Sequence, residues 1–223
     1  MIALKNVYHK VRESMSKEAI DLAIHGESVD EWQRLSYPVI TKQFENLAGK
    51  HSKKAWVKRL AYTYSWHPQT PSSVTPTPMK ENFSTLEKKF FNASLRKVKL
   101  METEEDEKLI RYKKKLHELS EFIVPIGSLI YGKEEIDYQL SSVSKVLHFM
   151  FPNLFPLFDR KACETVFGSN YQSYSRYFRY ISAFRTYLQE GENAEYVIKQ
   201  AEKEGLSPLY VMELALYADR MKS

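Results

Sequence analysis

Along most of the chain, apolar residues recur every three or four positions, and the strict polar–apolar alternation of a half-buried strand is scarce. That spacing predicts an all-α protein. The punctuation agrees: Ser28 followed by Glu31 makes a capping-box pattern, Pro38 suits a first helical turn, Asn193 and Ser207-Pro208 read as starts, and Gly26 and Gly205 read as stops. Helices are expected near 16–26, 28–36, 38–48, 51–66, 83–98, 103–123, 134–150, 160–168, 171–190, 193–204 and 208–221, a bundle of about ten. Only seven glycines occur.

One segment breaks the pattern. HPQTPSSVTPTPMKEN (67–82) holds four prolines among hydroxyl residues, so it is expected as an exposed loop. Around it the chain reads as one helical domain over 1–223, with candidate lobes 1–66 plus 83–124 and 125–223. METEEDEK (101–108) followed by RYKKK (111–115) sets acids before bases as the helix dipole favours, a structural pattern. No period of 20 to 50 residues repeats, which argues against a solenoid.

With 223 residues, the chain can bury a sizeable core. Cys163 is its one cysteine and has no internal disulfide partner. The start MIALKNVYHK lacks the apolar run of a secretory signal, and FIVPIGSLIY (122–131) has about half the length of a membrane span. A soluble, cytoplasmic monomer is expected. Net charge is +5 but uneven: residues 1–100 carry 17 Lys and Arg against 9 Asp and Glu (+8), and residues 101–223 carry 16 against 19 (−3). The positive half raises the odds of a polyanionic partner such as double-stranded DNA.

The most apolar stretch is VSKVLHFMFPNLFPLFD (143–159), with a lysine near one end and an aspartate at the other. On a helix, Val143, Val146, Leu147 and Met150 form a buried stripe, and Lys145 lies beside it. Lys145 reads either as a snorkelling lysine or as an amine bordering a cleft, where apolar walls would favour the neutral, nucleophilic form. Asp159 stands where the N-cap of the next helix belongs. It reads either as a cap alone or as a carboxylate facing an electron-poor carbon.

VSKVL, an apolar helix, and then P-x-x-D at a helix start resemble the core of the helix-hairpin-helix DNA glycosylases, in particular the 8-oxoguanine glycosylase-like branch. In that family a hairpin of the form L-P-G-V-G-x-K precedes an apolar helix and P-V-D-x-x-V. Here LSSVSK (140–145) stands at the hairpin and PLFDRKA (156–162) at the aspartate segment. The chain departs from the family in lacking the hairpin glycines, with Ser142 and Ser144 in that region, in the 14 residues that separate Lys145 from Asp159, about five fewer than the family's spacing, and in the extra Phe158 before the acid. The resemblance covers about 30 residues.

The resemblance implies a two-lobed helical fold around a cleft and base flipping, because a glycosidic bond is inaccessible within the stack. It implies Lys145 as the Schiff-base lysine and Asp159 as the catalytic carboxylate, with or without strand cleavage, and no cofactor or metal. The substrate class is a damaged or modified base, a modified base of phage DNA being one candidate. His148, Trp66 and Phe158 are then candidates for the base pocket, and Ser142, Ser144, Arg160 and Lys161 for DNA contact.

Two further stretches bear on DNA. GKHSKKAWVKR (49–59) holds Lys50, Lys53, Lys54, Lys58 and Arg59 without an acid, and reads as a solvated basic helix face or a phosphate-binding one. NYQSYSRYFRYISAFRTYL (170–188) interleaves aromatics with Arg176 and Arg179, one turn apart, which read as packing or as a hold on a DNA backbone. His9, His25, His51, His67, His117 and His148 show no metal-ligand spacing, and no dinucleotide or P-loop motif occurs. The alternative class is a non-catalytic helical nucleic-acid-binding or regulatory protein, with 143–159 simply building core.

Overall fold

The computed structural model describes residues 4–26, 31–50, 52–66, 96, 99–102 and 140–220. The expected helices near 83–98 and 103–123, the front of 134–150 and the loop 67–82 lie almost wholly outside them. Among the described residues every regular element is helical: α1 (Leu4–Glu13), α2 (Lys17–His25), α3 (Glu31–Asn46), α4 (Lys53–Trp66), a 3-10 turn (Leu100–Glu102), α5 (Leu140–Met150), α6 (Arg160–Phe167), α7 (Tyr174–Glu190), α8 (Ala194–Glu204) and α9 (Pro208–Arg220). No helix among them is long and apolar enough to cross a membrane.

The hub is α9. Leu209 through Leu216 and Ala218 are all buried except Tyr217, which is half-buried. A helix buried on every side needs neighbours on every side, and α9 packs on α2, α6 and α8. Around it, α1 lies on α7 and α6, while α3, α4 and α5 pack on one another. The buried apolar side chains of all these helices join in one core cluster.

Helix ends follow local chemistry. Ser16 caps α2 through the Ala19 N–H at 3.1 Å, and Ser173 caps α7 through the Arg176 N–H. Gly168, at φ 69°, closes α6 in the left-handed region that side chains with a Cβ avoid. Asn193 precedes α8 as expected but does not cap it; its Nδ2 instead donates to the Met15 carbonyl at 2.9 Å.

Two expectations are corrected. The helices near 28–36 and 38–48 are one helix, α3, which runs through Pro38. An interior proline costs about 3 kcal/mol. Burial of Tyr37, Ile40 and Phe44 on the same helix offsets it at roughly 1.5–3 kcal/mol each, while the proline ring stays on the exposed side. The second correction is α1, which the sequence reading left unassigned: Val7, Val11 and Met15, four residues apart, are buried and anchor it.

Candidate active site at the start of helix α6

Between α5 and α6 runs FPNLFPLF (151–158), a connection with no regular structure that is nonetheless buried at every residue but Asn153. A buried loop strands backbone polar groups, so side chains must answer them. They do: Ser207 Oγ donates to the Pro152 carbonyl (2.6 Å), His148 Nδ1 to that of Phe155 (2.8 Å), Tyr177 OH to that of Pro156 (2.9 Å) and Gln172 Nε2 to that of Phe158 (2.7 Å). Ser144 Oγ accepts from the Phe158 N–H at 3.0 Å. The residue preceding Asp159 is thus held at both its backbone groups.

Asp159 is delivered by this clamp to the N-terminus of α6. Its Oδ1 accepts the Ala162 N–H at 2.8 Å and the Tyr217 hydroxyl at 2.9 Å. Backbone N–H groups and the positive end of the helix dipole favour a negative charge there. The cap reading of Asp159 therefore holds, and a second hydrogen bond from α9 fixes the carboxylate further.

Lys145 extends from α5 with only 5 % exposure. Burial disfavours its charged form and lowers its pKa, while Asp159 and Glu213 pull in the opposite direction. No salt bridge joins it to either carboxylate among the described residues, so the attraction acts at longer range. Glu213, at 3 % exposure in the middle of α9, is held well above the usual carboxylate range by burial first and by Asp159 second. Its Oε1 lies 2.8 Å from the Tyr217 hydroxyl, and its Oε2 is buried without a hydrogen-bond partner. Lys161 rests its ammonium 4.5 Å above the Tyr217 ring.

Asp159 and Lys161 at the start of α6 both meet Tyr217 of α9, and Lys145 on α5 feels the charges of Asp159 and Glu213, while Arg160 is exposed beside Asp159. Other expected site residues are elsewhere. Trp66, His148 and Phe158 were expected to line a base pocket and instead belong to the interior, at 3 %, 0 % and 0 % exposure. Trp66 donates to the Gln33 carbonyl, Phe158 stacks on Tyr177, and His148 is hydrogen-bonded at both ring nitrogens. LSSVSK, which the resemblance sets at the hairpin, forms the first turns of α5, within the helix expected over 134–150. Ser144 is wholly buried as part of the loop clamp and does not face DNA, and the Ser142 side chain lies outside the described residues.

In the basic stretch Lys50, Lys54 and Lys58 are exposed, as phosphate contact requires, and the Lys53 side chain lies outside the described residues. Arg59 is the correction: at 2 % exposure it donates to the Leu47 carbonyl at 2.6 Å and ties α4 to the end of α3. Arg176 is occupied likewise by the Ser169 hydroxyl (2.9 Å) and the Tyr171 carbonyl (2.6 Å), which braces the turn after α6. Arg179 is half-buried on α7. Among the described residues no group of three or more His, Cys, Asp or Glu gathers as metal ligands.

Sequence reading missed Glu213 and Tyr217. The signal was present in PLYVMELALY, where a lone acid interrupts an apolar helix and a tyrosine follows one turn later on the same face. Comparisons of the chain with protein-family models, with curated proteins and with solved structures give no match.

Proposed function

We propose that this chain is a DNA glycosylase that removes a damaged or modified base from an extruded nucleotide, with Asp159 and Lys145 as its catalytic residues. One observation carries the reading: a buried amine whose pKa is lowered by burial and a helix-capping carboxylate, 14 residues apart in sequence, share one electrostatic cluster. As the glycosidic C1′–N bond breaks, its electron pair leaves with the base, and the Asp159 carboxylate offsets positive charge on the sugar. The Lys145 amine then bonds to C1′ and loses a proton; the C1′–O4′ bond opens, O4′ takes up a proton as a hydroxyl, and the resulting imine permits loss of a C2′ proton with β-elimination of the 3′ phosphate. The exposed Lys50, Lys54, Lys58, Arg160 and Lys161 supply positive charge for the backbone.

A second reading within the same class follows from the burial of Lys145. At 5 % exposure the amine meets a sugar carbon only when neighbouring side chains part, whereas a water at the half-buried Asp159 needs no such opening. Asp159 would then direct water to C1′ and leave an intact abasic strand. Incubation with duplexes bearing a panel of lesions and modified bases, phage DNA included, followed by alkali, tests both. Abasic sites made by wild type and not by Asp159→Asn support the proposal. Borohydride trapping that succeeds with wild type and fails with Lys145→Ala selects the amine route. Tight duplex binding without base release anywhere in the panel would favour a non-catalytic nucleic-acid-binding protein.

A further inference from the structure

The Tyr217 hydroxyl is 2.9 Å from Asp159 Oδ1 and 2.8 Å from Glu213 Oε1. It owns one proton and faces two carboxyl oxygens. If both acids were ionised, one of these contacts would set two oxygens with lone pairs against each other inside the protein, with nothing between them. A second proton must therefore sit in the chain, and its owner can be identified.

Asp159 is half-buried and already takes a backbone N–H at a helix N-terminus, the environment of an anion. Glu213 is 3 % exposed, receives no backbone N–H, and leaves Oε2 buried without a hydrogen-bond partner. We propose that Glu213 is a positioning residue that works as a neutral acid, donating its proton to the Tyr217 oxygen and thereby obliging Tyr217 to donate to Asp159. The direction of the two hydrogen bonds makes Asp159 the single anion at the mouth of the cluster. Its value to catalysis rests on the glycosylase reading above, and its protonation does not.

The charged and titratable groups that act on Glu213 are Lys145 on α5, Asp159 and Lys161 at α6, Tyr177 and Tyr180 on α7, Tyr37 on α3 and Tyr217 on α9 itself. Desolvation and the Asp159 charge outweigh the two lysines, in keeping with a carboxyl that retains its proton.

The test compares wild type with Glu213→Gln, whose amide offers Tyr217 the same donor but cannot ionise. A carboxyl held neutral by folding stabilises fully below its unfolded pKa, near 4.5, and loses that contribution as pH rises toward its folded pKa. Melting temperatures should therefore agree near pH 4 and separate above it, Gln the higher, by about 3–5 °C per pH unit. A pH-independent gap, or a wild type more stable than Gln at pH 8, overturns the proposal, because Glu213 would then be a paired anion. Infrared spectra of wild type alone decide the matter if the variant fails to fold. A protonated-carboxyl band at pH 8 that shifts in heavy water supports the assignment, and absence of the band sinks it. Where base release is measurable, Tyr217→Phe should lower it roughly tenfold through the lost bond to a charged acceptor. Absence of base release in every protein would count against the glycosylase reading and leave the stability titration to judge Glu213.

Discussion

Two buried side-chain chains flank the 151–158 connection, and they end differently. On one side Tyr37 OH meets His148 Nε2 at 2.7 Å and His148 Nδ1 meets the Phe155 carbonyl at 2.8 Å. A carbonyl only accepts, so Nδ1 carries the proton and Nε2 takes the tyrosine's. Both ring nitrogens are satisfied and the chain stops on backbone. On the other side Glu213 and Tyr217 lead to Asp159, half-buried at a helix start, with Lys145 in electrostatic reach. Burial alone therefore does not mark a site: His148 is more buried than Lys145, yet its network is closed. The chain that ends at half-buried Asp159 is the one the glycosylase proposal places at the substrate.

The strongest way to break this contrast is a crossed pair of variants. Asp159→Asn keeps a good cap and an acceptor for Tyr217, so stability should move by less than about 1 kcal/mol. Base release should fall by roughly a thousandfold or more, about 4 kcal/mol in activation free energy, read from alkali-cleaved product. His148→Ala should do the reverse. Truncating the ring opens a cavity and strands the Phe155 carbonyl, costing about 3–5 kcal/mol by denaturant unfolding, while the protein that remains folded keeps its activity. A His148→Ala protein that is stable but inactive would move the site to the other chain.

Opposite pH limbs give a smaller and sharper test. Burial lowers the His148 pKa from 6.5 to about 4, so the unfolded chain takes up a proton that the folded one refuses. The stability this residue provides is present above pH 6.5 and is lost as pH falls through the window down to about 4, by up to about 3 kcal/mol. Glu213 has the opposite sign, since its folded pKa is raised and its contribution shrinks as pH climbs. The two windows overlap from pH 4.5 to 6.5, where the opposing slopes offset each other, so stability should stay level there and fall above it. His148→Asn should turn that level stretch into a decline with rising pH and Glu213→Gln into a rise, as measured by melting temperature from pH 4 to 8.

The helices were legible because their signals are local. Ser16, Asp159, Gly168 and Gly205 act within a turn of where they stand, so spacing found α2, α6 and α8 to within a few residues. Pro38 misled because its penalty is local while the burial that outweighs it depends on α4 and α5. The same division runs through the site. Lys145 and Asp159 stand in one quoted stretch, whereas Tyr217 reaches Asp159 across 58 positions and Tyr37 reaches His148 across 111. Arg59 and Arg176 read as phosphate contacts because their charge is visible in sequence, and the carbonyls that occupy them are not.

The smallest effects distinguish the two tyrosines that link these chains. Tyr37→Phe leaves His148 Nε2 at 0 % exposure with no donor, and the ring remains stacked on Tyr210 at 3.9 Å, so the loss is that of a buried unsatisfied acceptor, about 1–3 kcal/mol. Tyr217→Phe, made in a Glu213→Leu background so that no buried proton loses its acceptor, leaves Asp159 its Ala162 N–H and half-open access to water. Stability should fall by less than about 1 kcal/mol, the lower part of the range for a single hydrogen bond. Urea unfolding of both variants at pH 7 measures the difference. Equal losses would mean that the Asp159 end is as sealed as the His148 end, and the contrast between a closed and an open chain would fail at the residue meant to define it.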